Sequence, residues 1–260
     1  MQSILKDMIK NVLSLFLLSF SMILLAQKKP ISKKTPVTKN IVKKTIAPKV
    51  NLDLIKINDS IPVLIPYTKD RKYGFVNQKS KIIIPAVYSN VGFYTEDCNL
   101  LNSPNIKARK FGSKDYASVR LDGKDYRIDY SGKRLYQFKD EDLGTCPSQF
   151  KTQLFHAYIM NKYYGIIEDD KFHDASDYRQ FTIYPQFDYL FILEGDDLKN
   201  PMIIAVKNNQ FGIIDIYGKT IIPFEYDDIK RNFSWKLGRL FEVTKDGQNY
   251  FFIDSDNHAY

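Results

Sequence analysis

A five-residue phrase recurs along this chain: an aromatic residue, a glycine, two apolar residues, then an acid or amide. It stands as Tyr73-Gly74-Phe75-Val76-Asn77, Tyr164-Gly165-Ile166-Ile167-Glu168 and Phe211-Gly212-Ile213-Ile214-Asp215. A repeat dictates architecture before local propensity does, because one small unit cannot bury its apolar face alone. Aligned on the closing acid or amide, Asn77, Asp129, Glu168, Asp215 and Asp254 take one place, separated by 52, 39, 47 and 39 residues.

Two copies share a longer pattern. Gly74 to Tyr88 and Gly212 to Tyr226 both span 14 residues, through Ile83-Ile84-Pro85 and Ile221-Ile222-Pro223. The third copy ends in Tyr184-Pro185-Gln186-Phe187, and an eight-residue insert stretches it. The second copy has Tyr126 in place of the glycine but keeps Ser131-Gly132-Lys133. The glycine of each phrase admits a close backbone or ring, or marks a bulge. The acid or amide is placed to accept backbone N–H groups of the turn. The aromatic residue covers the neighbouring unit. The proline stops the next strand, having no N–H to give a ladder.

Short runs rich in Ile, Val, Tyr and Phe, divided by turn residues, predict strands throughout. Candidates include Ile61–Ile65, Lys81–Ile84, Ala117–Leu121, Tyr126–Asp129, Ile203–Val206, Phe241–Thr244 and Tyr250–Asp254. Asp122-Gly123 and Asp246-Gly247 signal tight hairpins. Phe150, Leu154 and Tyr158 share a spacing of four, which predicts a short helix within Ser148–Lys162. The expectation is an all-β array of about five three-stranded meander units over residues 51–260, either a propeller-like ring or an open β array. Ile61–Ile65 reads as a third strand without its unit, and the C-terminus as a unit without its third strand. Joining them would close a ring and hide two edges.

These residues resemble the WG repeat, also called the KWG repeat, found mostly in bacterial proteins. Phe211 to Asp228 carries its pattern: Phe211-Gly212-Ile213-Ile214-Asp215, Gly218-Lys219, Ile221-Ile222-Pro223 and Tyr226-Asp227-Asp228. The resemblance covers about Ile61 to Tyr260, with Tyr or Phe in place of the naming tryptophan. It implies a β-repeat array with a binding or surface role, and it carries no catalytic residues.

Residues 1–26 have the form of a secretory signal peptide: Lys6 and Lys10, then the uncharged run Val12 to Ala26. An uncleaved membrane anchor is the alternative, and the lysines that follow favour it. Residues 27–50 hold eight lysines, three prolines and no acid, the composition of a disordered linker. The chain is +8 in total and its first fifty residues are +9, so the remainder is close to −1. That excludes a broad nucleic-acid face on the domain. Membrane contact is confined to the signal segment or the lysine-rich linker. The two cysteines, Cys98 and Cys146, are compatible with a disulfide in an oxidising compartment or with two free thiols.

Catalytic signals are thin. No nucleophile elbow, phosphate loop or zinc-protease motif occurs. Asp169, Asp170, His173 and Asp174 form an acidic insert that could collect a divalent cation, but a solvated loop explains them better. Glu194, Asp196 and Asp197 read as a second such loop. No cofactor is expected. Tyr94, Tyr136, Tyr178 and Tyr189 are candidates for a contact surface. The expected function is an exported, periplasmic or extracellular, non-enzymatic module that binds a protein partner. A glycan or peptidoglycan-binding module and a hydrolase with scattered carboxylates are the alternatives.

Overall fold

The structure, a computed structural model, describes residues 53–147, 153–172 and 180–260. They belong to one compact unit, Val50–Tyr260. The expected signal segment and linker, and the candidates His173, Asp174 and Tyr178, lie outside the described residues.

The fold is all-β, in five antiparallel sheets among the described residues. The first holds β1 (Leu64–Lys69), β2 (Lys72–Asn77) and β3 (Ile82–Tyr88). The second holds β4 (Asn90–Val91), β5 (Ala117–Leu121), β6 (Lys124–Ile128) and β7 (Arg134–Phe138). The third holds β8 (Phe155–Met160), β9 (Tyr163–Glu168) and β10 (Phe181–Phe187). The fourth holds β11 (Tyr189–Ile192), β12 (Ile203–Lys207), β13 (Gln210–Ile214) and β14 (Thr220–Tyr226). The fifth holds β15 (Asp228–Ile229), β16 (Phe241–Thr244) and β17 (Phe251–Ile253).

The recurring glycine and proline form one device. In the first sheet Phe75 faces Ile84 and Tyr73 faces Tyr88, so two steps along β2 oppose four along β3. The same shift relates Ile166 and Tyr164 to Ile183 and Phe187. It also relates Ile213 and Phe211 to Ile222 and Tyr226. The proline therefore does not stop the strand: Pro85, Pro185 and Pro223 each sit in a bulge inside it, where no ladder donor is needed. The bulge presses on the glycine opposite. A Cβ on Gly74 would lie 2.4 Å from the Ile84 carbonyl oxygen, and one on Gly165 would lie 2.5 Å from that of Ile183. On Gly212 it would lie 2.8 Å from the Ile222 oxygen.

The acid or amide then builds an identical turn in four copies. Asn77 Oδ1 accepts the N–H of Lys79 and Lys81, both at 3.0 Å. Asp129 does the same for Ser131 and Lys133, Asp215 for Tyr217 and Lys219, and Asp254 for Asp256 and His258. Three residues after each acid or amide the backbone is left-handed, at Ser80, Gly132, Gly218 and Asn257. Glu168 departs from this pattern: one methylene longer, it pairs with Lys171 at the start of the insert.

Closing aromatics join successive units. Tyr88, Phe187 and Tyr226 are buried. The Tyr226 hydroxyl donates to Asn257 Oδ1 of the next turn at 2.6 Å, and Tyr94 donates to the Asp129 carbonyl at 2.9 Å. The aromatics before the glycines, Tyr73, Tyr164 and Phe211, are only half-buried. The better-covered ring is thus the closing one.

Burial pushes the Tyr226 hydroxyl up to about 12, with Glu225 adding to the shift, and burial raises Tyr94 too. Unfolded tyrosines ionise near pH 10, so this stabilisation is complete below about pH 10 and is lost as pH rises toward the folded values. Urea midpoints should therefore fall through that alkaline range, and Tyr226→Phe should flatten the fall. A flat alkaline limb in the parent protein would contradict it.

Apolar clusters set the order of packing. One joins the first and second sheets, through residues such as Phe75, Ile84, Val119 and Ile128. Others join the third to the fourth and the fourth to the fifth. The last joins Ile61, Ile65 and Val76 of the first unit to Leu240 and Phe252 near the C-terminus. The two ends of the domain therefore meet, but through side chains. β1 pairs with β2, so the strand expected at Ile61–Ile65 lies later and completes the first sheet rather than the last. Among the described residues no ladder crosses between sheets and no closed barrel forms.

Two further expectations are corrected and one is met. Phe155–Met160 is strand β8, not helix. A spacing of four is one helical turn but also two strand alternations, and the hairpin to β9 decides it. Asp246-Gly247 lies in a six-residue loop between β16 and β17, in which Asp246 Oδ1 accepts from Gln248 and Asn249. Asp122-Gly123 does make the two-residue hairpin, with both φ angles positive.

Cys98 and Cys146 are joined by a disulfide, their Cα atoms 5.7 Å apart. Cys98 opens a short helix, α1 (Cys98–Leu101), capped by Asp97. The bridge closes a loop 48 residues long in sequence, worth about 3–4 kcal/mol by chain entropy. Reduction should lower unfolding stability by that amount in urea titrations, whereas an unchanged midpoint would mean that the bridge does no structural work.

Candidate functional site

One concavity lies where the fourth and fifth sheets meet the start of the third. After Ile229 the chain turns through Arg231 and Asn232 into α2 (Ser234–Gly238). Asn232 fixes this entry: its Oδ1 accepts from the Ser234 N–H at 3.0 Å, and its Nδ2 donates to Glu242 at 2.6 Å. Trp235 is buried and stacks on Phe241 at 4.6 Å. That leaves Phe233 on the surface, 57% exposed.

Opposite stands the loop after β11. The groove between them holds about 380 Å³ and has Phe191, Leu193, Phe233, Glu194 and Arg231 in its walls. This volume falls in the usual range of ligand sites, roughly 300–1,000 Å³.

The charges differ in how far they are engaged. Glu194 pairs with Lys236, and Arg239 with Asp196 at 3.0 Å. Asp197 caps its own turn, accepting from Lys199 and Asn200. Arg231 donates from Nη1 to the Tyr189 hydroxyl at 2.6 Å, with its guanidinium over the rings of Tyr189 and Phe191. It forms no ion pair among the described residues. Neither Arg231 nor Phe233 carried a signal in the sequence, because both belong to an irregular connection outside the phrase.

A second groove of about 440 Å³ lies beside the first and is lined by Asp169, Asp170 and Tyr217, among others. Asp169 is 2.9 Å from His156 Nε2. No group of three or more metal-ligating side chains occurs among the described residues. Of the tyrosines expected to form a contact surface, Tyr178 lies outside the described residues, and the other three each have an internal partner. Tyr94 is core, Tyr136 stacks on Phe111 and donates to Asp142, and Tyr189 holds Arg231. No helix among the described residues is long and apolar enough to cross a membrane.

The glycine–proline bulges and capped turns define a β-meander repeat protein. Residues 73–98 and 211–247 match the family described as "WG containing repeat". No curated protein matches it. Among solved structures, one described as "Crystal structure of the eukaryotic initiation factor" aligns with 75% of this chain and 51% of its own, at 11% identity and a TM-score of 0.26. The chain thus spans about half the length of that protein, and a likeness this low carries no argument about fold or function.

Proposed function

We propose that this is an exported, non-enzymatic binding module, and that it holds a protein partner in the groove beside Phe233. The observation that carries the reading is the groove itself: exposed and half-buried phenylalanines under a charged rim, at a junction of sheets. Exposed aromatic surface of this kind is costly to leave in water and is characteristic of contact sites. Export is supported by the Cys98–Cys146 bridge, which needs an oxidising compartment, and by the apolar run Val12 to Ala26.

A photo-crosslinking residue placed at Phe233 of the full chain, in the native cell, tests this. A discrete adduct with one envelope protein is expected, with none from the same residue at Ile106, an exposed site elsewhere. Absence of any Phe233 adduct would overturn the reading. A glycan ligand is favoured by Tyr217, 80% exposed beside the second groove. Retention on cell-wall polymer that Tyr217→Ala abolishes would support that alternative.

A further inference from the structure

The groove beside Phe233 also suggests what part of a partner it takes. We infer that it captures an extended peptide segment in which a single carboxylate side chain adjoins a large apolar residue, with Arg231 as the carboxylate anchor. This rests on the binding reading above and narrows it.

The argument is one of unspent charge. Among the described residues, Arg231 is the one cation in the lining of the groove, and the nearby Lys236 and Arg239 already have acidic partners, Glu194 and Asp196. Arg231 has one neutral partner, the Tyr189 hydroxyl, which engages Nη1. Its side chain is exposed, and it lines the groove with Nε and Nη2 unengaged among the described residues. Its place over the Tyr189 and Phe191 rings, with the hydrogen bond to Tyr189, restrains the guanidinium, so less side-chain entropy is lost when it binds an anion. A planar fork held this way suits a carboxylate.

The surroundings narrow the class. Phe191, Leu193, Leu198, Pro201 and Phe233 offer apolar walls, which call for an apolar side chain next to the carboxylate. Glu194 and Asp197 also line the groove, so a polyanion such as a nucleic acid or a phosphate polymer is repelled where a single carboxylate is tolerated. Trp235 is buried and offers no open face for a sugar to stack on.

A random heptapeptide display library, panned against the full chain and its Arg231→Gln variant, tests this. The wild-type protein should enrich sequences with Asp or Glu beside Phe, Leu, Ile or Met. A synthetic peptide of the enriched sequence should bind at least tenfold more weakly after its acid is changed to the amide, and at least tenfold more weakly to Arg231→Gln. Arg231→Lys should restore part of the loss, and thermal unfolding should show both variants folded. Enrichment without acids, or equal binding by Arg231→Gln, overturns the inference. So does a failure to enrich any peptide while the Phe233 crosslink still forms, an outcome that leaves the binding reading standing. Binding only of peptides with free C-terminal carboxylates assigns the anion to a chain end and also overturns it.

Discussion

Gly74→Ala is expected to destabilise the protein by about 3 kcal/mol or more, through overpacking against backbone that cannot yield. The added methyl would lie 2.4 Å from the Ile84 carbonyl oxygen and 2.7 Å from both the Ala86 nitrogen and the Pro85 carbonyl carbon. None of these is the end of a flexible side chain. Relief requires flattening the Pro85 bulge, which would break the facing of Tyr73 with Tyr88 and lift Tyr88 from its cluster. A contrast isolates the cause. Gly123 has φ +72° and nothing within 4 Å of an added Cβ, so Gly123→Ala should cost only the left-handed strain, about 1–2 kcal/mol. Urea unfolding of the two variants measures the difference. Equal losses would show that conformational freedom, not close approach, explains the phrase glycine.

Arg127→Met is expected to cost about 3–5 kcal/mol, because it removes one partner from a buried polar network. Arg127 lies on β6 and is only 2% exposed. Its Nε donates to the Phe111 carbonyl at 2.7 Å, its Nη2 to those of Ser113 and Tyr116, and its Nη1 to the Ser118 hydroxyl. Asp97 Oδ2 is 3.6 Å away. This one side chain ties the long connection between β4 and β5, disulfide helix included, to the second sheet. Methionine fills similar space but donates nothing, so three carbonyls lose a donor in a region closed to water. Burial lowers the Arg127 pKa and Asp97 opposes that, yet a guanidinium stays charged throughout the accessible range. Arg120 sits nearby in an exposed pair with Asp125, and Arg120→Met should change stability little. A midpoint for Arg127→Met close to that of Arg120→Met would contradict the structural role.

Much of the fold was legible because the repeat constrains it several times over. Asn77, Asp129, Asp215 and Asp254 were placed together by alignment alone, and their four turns share the same two hydrogen bonds. Even the second copy, which lacks the glycine and the proline, was identified through Ser131-Gly132-Lys133. Other features were hidden for physical reasons. A proline without an N–H ends a ladder or sits in a bulge, and the local sequence is the same in both cases. Three two-residue hairpins went unmarked because they lack glycine. Asp70-Arg71, Asn161-Lys162 and Asn208-Asn209 adopt positive φ; Asn and Asp tolerate it, whereas Arg71 and Lys162 are types that rarely do, and the strands on either side hold them there. The candidate site was the least legible part. Arg231 and Phe233 matter through what faces them across the junction of two sheets, and no spacing along the chain records that.

The meeting of the two ends completes the packing order of the sheets, and one crosslink tests it directly. Ile82 on β3 is 53% exposed and shares a small cavity with Tyr250, Phe251 and Phe252. A photo-crosslinker at position 82 of the full chain should therefore form an intramolecular bond to the peptide holding Tyr250–Phe252, joining the first sheet to the last. Crosslinks confined to the first and second sheets would contradict the meeting of the two ends.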